Sequence, residues 1–137
     1  MRGKKLVEKK RFVVWGKVIF YCGVIFLLSH QSNLTIPSVV PNIDKLAHLS
    51  EYAFLGWLCA QAWRFERPYW LARAVICFSL VFASIYGATD EWHQSYIPGR
   101  YSDGWDWLAD MCGGAVGGAT FAIWERVKVL VVRQAAS

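Results

Sequence analysis

Residues 70–94 read WLARAVICFSLVFASIYGATDEWHQ. From Trp70 to Thr89 the only charged side chain is Arg73, near the start. A helix of about 20 apolar residues, rising 1.5 Å at each, crosses a hydrocarbon layer roughly 30 Å thick. The run then ends in Asp90, Glu91, Trp92, His93 and Gln94, and Pro98-Gly99 breaks any continuation. A basic start, an apolar middle and an acidic, histidine-bearing exit describe a membrane-crossing helix whose two ends differ.

The same polarity repeats along the chain. Apolar stretches at about 12–29, 46–63 and 105–123 join the one at 70–89, whose helical pattern extends toward 94. Seven of the ten acids gather at one set of ends: Asp44, Glu51, Asp90, Glu91, Asp103, Asp106 and Asp110, with only Lys45 and Arg100 as basic company. The remaining basic residues lie between Arg2 and Lys17, at Arg64, Arg67 and Arg73, and at Arg126, Lys128 and Arg133. Cytoplasmic loops of helical membrane proteins carry the Lys/Arg excess. The expectation is an all-α integral membrane bundle of four transmembrane helices, one domain over residues 1–137, with both termini cytoplasmic. Trp15, Trp63, Trp70 and Trp124 fall near the inner interface and Trp92, Trp105 and Trp107 near the outer one, as an aromatic belt requires.

Composition narrows the function classes. With 55% apolar and 16% aromatic residues and only 18% charged, the chain is not disordered. Its net charge of +5 flanks apolar runs instead of lining a soluble face, which suits anionic membrane lipids and excludes nucleic acid as the expected partner. The four cysteines, Cys22, Cys59, Cys77 and Cys112, fall in different apolar segments with no Cys-x-x-Cys pair, against a zinc ribbon or redox motif. Residues 30–42, with Pro37 and Pro41, read as an extended outer loop, and Asn33-Leu34-Thr35 matches a glycosylation acceptor, a pattern common by chance.

The polar residues form three constellations. Asp44, His48 and Glu51 stand at i, i+4 and i+7, one face of a helix. Asp90 and Gln94 share a face at the exit of the third segment, with Glu91 beside them and His93 close by. Asp103, Asp106 and Asp110 again recur on one face; the first two suit a helix's first turn, but Asp110 lies deeper, in an apolar run. Residues 113–118, GGAVGG, hold two overlapping Gly-x-x-x-Gly frames that let a helix approach closely, within the chain or in a dimer. Seven acids against two bases in one cleft call for protonation, pairing with Arg100 or a bound cation. Oxygen ligands with histidines suit a divalent cation, with Asp106 and Asp110 as ligands beside Asp90 and His93. Asp90, Glu91, His93, His48 and Glu51 are the candidate catalytic acid/base groups. Arg100, Gln94 and Asp44 are candidates for binding substrate, Arg100 by offering its guanidinium fork to a phosphate or carboxylate. The bland alternative for Arg100 is a salt bridge to Asp103 or Asp106.

These motifs in order, Asp44-Lys45-x-x-His48-x-x-Glu51-Tyr52, Tyr86-Gly87-x-x-Asp90-Glu91-x-His93-Gln94-x-x-x-Pro98-Gly99-Arg100, and Asp106-x-x-x-Asp110 followed by glycines, resemble the VanZ-like family of bacterial membrane proteins. The resemblance covers about Asp44 to Gly118. It implies a multi-pass protein of the bacterial inner (cytoplasmic) membrane, in a family linked to teicoplanin resistance. Three functions fit: an enzyme, metal-assisted or not, acting on a lipid-linked or cell-envelope substrate; a non-catalytic membrane protein binding or excluding an amphipathic ligand such as a lipoglycopeptide; or a structural polar network.

Overall fold

The computed structural model describes residues 2–32 and 42–136, and among them every regular element is a helix. α1 spans Arg2–Ser29, α2 Ile43–Glu66, α3 Ala72–Gln94 and α4 Gly104–Ala135. α1 begins well before Phe12 and α4 runs past Ile123, because the flanking Lys, Arg, Glu and Leu residues are good helix formers with no proline among them. Most of the expected outer loop, and the sequon at Asn33, lie outside the described residues.

Glycines place α4 in the groove between α2 and α3. A Cβ on Gly113 would come within 2.5 Å of the Leu49 carbonyl oxygen, and one on Gly117 would overlap the Ala53 carbonyl. On the adjacent face, a Cβ on Gly114 would overlap Ala83, and one on Gly118 would lie 3.0 Å from Ser79 Cβ. One Gly-x-x-x-Gly frame therefore admits α2 and the other admits α3, both within the chain. α1 packs outside this trio, setting Val18 and Ile25 against Leu55, Leu58 and Cys59 of α2. Tyr86 Oη donates to the Cys22 carbonyl at 2.6 Å and ties α1 to α3.

The four helices alternate in direction, so the bundle has two ends of opposite character. One end is joined by Arg11–Glu66 and Arg64–Glu125 ion pairs at 2.7 and 2.6 Å and by the Trp57, Phe121 and Trp124 rings. The acids collect at the other. α1 (Gly3–Ser29) and α3 are long and apolar enough to cross a membrane, with mean hydropathies of 2.0 and 1.6 in their best stretches. Those stretches are only 17% and 22% buried inside the protein. A soluble protein would turn its most apolar helices inward; here they face outward, as they do when the surroundings are lipid.

Candidate functional site

The acidic end is built on helix termini. α3 stops at Gln94, and Ile97 to Arg100 form a tight turn in which the Arg100 N–H donates to the Ile97 carbonyl at 3.0 Å. Pro98 supplies the first corner and Gly99, at φ +83°, the second, a left-handed position that a glycine adopts without a Cβ penalty. α4 then begins with Asp103 as its cap, Oδ1 accepting from Trp105 N–H at 2.9 Å. The loop is fastened to α3 through the Asp103 N–H, which donates to Glu91 Oε2 at 2.6 Å.

At the rim, Lys45 Nζ reaches Asp103 at 2.9 Å, Asp106 at 3.0 Å and Asp44 at 3.0 Å. These contacts tie the start of α2 to the start of α4. They also raise the Lys45 pKa, chiefly through Asp103 and Asp106. Lys45 holds Asp44 below the ordinary carboxylate range, while the Trp105 N–H and then Lys45 do so for Asp103. Both depressed carboxylates contribute stability above their ordinary range, lost as pH falls through their lower folded values. The raised Lys45 contributes fully at every pH below the ordinary amine value, so it adds no second limb near neutrality. The melting temperature is accordingly expected to fall on acidification below the carboxylate range, and Lys45→Met to flatten that fall. An acid limb equally steep in the variant would refute the assignment.

Beneath the rim lies a buried layer contributed by three helices. Asp110 of α4 is wholly buried, and its Oδ1 meets His48 Nδ1 of α2 at 3.0 Å. His48 Nε2 lies 4.0 Å from Asp106 Oδ2. From α3, Asp90 is buried and accepts from Gln94 Nε2 at 3.0 Å. Glu91, 5% exposed, turns one oxygen to the loop and leaves Oε1 without a partner. Gly87 makes room for this layer, since a Cβ there would come within 2.6 Å of Asp110 Oδ2. Glu51 is half-buried and lies in the electrostatic field of His48, Asp90 and Arg100.

Among the described residues, the side chains that could share one ion are His48, Glu91 and Asp110, whose ligand atoms all lie within 4.8 Å of one another. The structure thus brings Asp110 together with His48 and Glu91. Asp106 turns to Lys45, Asp90 to Gln94, and His93 to α1, where its Nε2 lies 3.2 Å from His30 Nδ1 and its ring 4.6 Å from that of Phe26. Asp44 stands on the exposed rim. Because Lys45 occupies Asp103 and Asp106, Arg100 makes no salt bridge to either, and its buried Nε has no hydrogen-bond partner.

The sequence gives Lys45 only the part of a counter-charge and gives His30 none, and it marks Tyr52 through the motif Glu51-Tyr52 without assigning it a role. Nothing local marks His30, whose pairing is made across helices.

The VanZ/LLP1 family model matches residues 6–125 of the chain. The chain belongs to this family. No curated protein and no solved structure matches it. Membership in VanZ/LLP1, together with two outward-facing apolar helices, indicates a membrane protein. The VanZ/LLP1 match takes in most of α1, all of α2 and α3, and α4 as far as Glu125, so it includes every residue of the acidic layer.

Proposed function

We propose that this VanZ-family protein crosses the bacterial inner membrane four times with both termini inside. Its acidic end then faces the extracytoplasmic boundary, where it binds and acts on the phosphate-bearing head of a lipid-linked envelope substrate. The basic residues at the opposite end support this orientation through the cytoplasmic Lys/Arg excess. Reporter fusions to either terminus and to the 95–103 loop test it; an activity pattern placing the loop inside would overturn it.

Arg100 carries the reading. Ion-pairing with Asp103 and Asp106 is the ordinary fate of an arginine in an acidic cleft, yet Lys45 takes both. A buried guanidinium nitrogen without a partner is unusual and favours a ligand that supplies the acceptor. The planar fork suits phosphate oxygens bidentately. Glu51, in the electrostatic field of Arg100 and Asp90, and Asp90 itself would serve as proton-transfer groups, with His48, Glu91 and Asp110 clustered at the same acidic end. The outward-facing apolar helices would let a lipid tail remain in the bilayer while its head enters the site.

Purified protein in detergent, supplied with polyprenyl-phosphate-linked cell-wall precursors, is expected to turn them over. Arg100→Gln should lower kcat/KM by about 100-fold, the scale of removing one charge-stabilising donor. Arg100→Lys keeps the charge without the fork and should fall in between. Turnover unaffected by Arg100→Gln would overturn the reading. Saturable binding that depends on Arg100 but leads to no turnover would instead identify a non-catalytic protein that sequesters or shields an envelope ligand. Such shielding would also bear on the family's link to glycopeptide resistance.

A further inference from the structure

Three partly satisfied groups converge at the floor of the acidic end. Asp110 is wholly buried and uses Oδ1 on His48, while its Oδ2 has no hydrogen-bond partner. Glu91 is 5% exposed, and its Oε1 is likewise unpartnered. Tyr52, fully buried on α2, has a hydroxyl with no partner and lies in the electrostatic field of Asp110, Asp90 and Glu51. A hydrogen-bonded network built only for stability would satisfy such atoms, because each buried orphan costs about 1–3 kcal/mol. Their convergence in one place points to something that binds between them.

We propose that His48, Glu91 and Asp110 hold a divalent first-row transition cation, Mn²⁺ or Zn²⁺. The site deepens the reading above, since Glu91, one of its three residues, also fastens the loop that carries Arg100. One ligand atom from each residue falls within 4.8 Å of the others. Around an ion that binds at about 2.1 Å, ligands lie roughly 3.4 Å apart in a tetrahedral set and roughly 3.0 or 4.2 Å apart in an octahedral one, so a modest side-chain rotation closes the set. The 3.0 Å between His48 Nδ1 and Asp110 Oδ1 is already about the edge expected for neighbouring ligands of such an ion. An imidazole among carboxylates favours Mn²⁺ or Zn²⁺ over Mg²⁺ or Ca²⁺, which take oxygen sets. Two carboxylates match the ion's double charge in a setting where two unpaired buried negative charges would be costly. Three protein ligands leave coordination positions open for water or a phosphate oxygen, the mark of a reactive rather than a purely structural site. Asp106, 4.0 Å from His48 Nε2, stands where an outer partner orients a ligating imidazole.

The test uses the full chain purified in detergent, stripped with chelator and re-equilibrated with Mn²⁺ alone or Zn²⁺ alone. Dialysis with elemental analysis is expected to give one ion per chain. Glu91→Gln and Asp110→Asn should each weaken it at least tenfold. Glu91→Gln carries the test by itself should Asp110→Asn fail to fold, with helicity followed by circular dichroism. The electron-spin-echo spectrum of bound Mn²⁺ should show nitrogen coupling that His48→Ala abolishes and His93→Ala preserves. Absence of a stoichiometric ion, wild-type affinity in Glu91→Gln, or nitrogen coupling that follows His93 would each overturn the site. The two readings fail separately: without an ion, His48 and Asp110 remain a hydrogen-bonded pair and the Arg100 experiment still decides, whereas an intact ion site with Arg100-independent turnover overturns only the substrate assignment.

Discussion

Gly117→Leu is expected to abolish the folded bundle, and Gly117→Ala to destabilise it by about 2 kcal/mol. The reason lies in what the added atoms meet. A Cβ at Gly117 would overlap the Ala53 carbonyl and come within 2.6 Å of Trp57 N, both backbone of α2. Backbone cannot rotate aside as a flexible side-chain end can, so α4 must move away from α2. That separation would also pull Asp110, two turns earlier on α4, from His48. Alanine's helix preference over glycine, about 1 kcal/mol, offsets part of the cost but not the steric term. Val116→Ala, at an outward-facing position 45% exposed, serves as the control and should stay within about 0.5 kcal/mol of the parent. Equilibrium unfolding in detergent reads all three. A Gly117→Ala protein as stable as the parent would mean that the α2–α4 contact does not form as described.

His48→Leu should cost about 3–5 kcal/mol, because it strands a wholly buried Asp110 carboxylate without its partner. Asp110→Leu should cost a similar amount by leaving His48 facing an apolar side chain. The double replacement is expected to be less damaging than the two together by about 2 kcal/mol, since buried ion pairs are costly to break but less costly to replace whole. Running the cycle with chelator present restricts the measurement to the pair. Strict additivity would mean that the 3.0 Å contact contributes no coupling. The layer around Asp110 would then have to be held by packing alone.

These two positions differ in how much of their role was legible in the sequence. The glycine frames at 113–118 announced a close helix approach through their spacing alone. Spacing could not say which neighbour approaches, because i, i+4 frames offset by one residue present two faces of one helix. Only the assembled bundle shows Gly113 and Gly117 against α2 and Gly114 and Gly118 against α3. Likewise, periodicity put His48 and Glu51 on one face and Asp106 and Asp110 on another, but how those faces meet depends on helix rotation. His93 illustrates the limit. The sequence set it beside Asp90, Asp106 and Asp110 as a ligand, whereas it stands about 200° around α3 from Glu91, the residue that does join Asp110, and its ring turns to α1 and His30.

What the chain's order determined unaided was periodic or additive: helical segments, the separation of acids from bases along them, their apolar length and the family motif. Each is a sum over near neighbours, so it survives without knowledge of packing. Tertiary structure alone decided the partners. Lys45 rather than Arg100 neutralises Asp103 and Asp106, Glu91 rather than His93 joins Asp110, and Arg100 keeps a nitrogen unpaired. Charge pairing falls off within a few ångströms, and those distances are set by side chains brought together from separate helices.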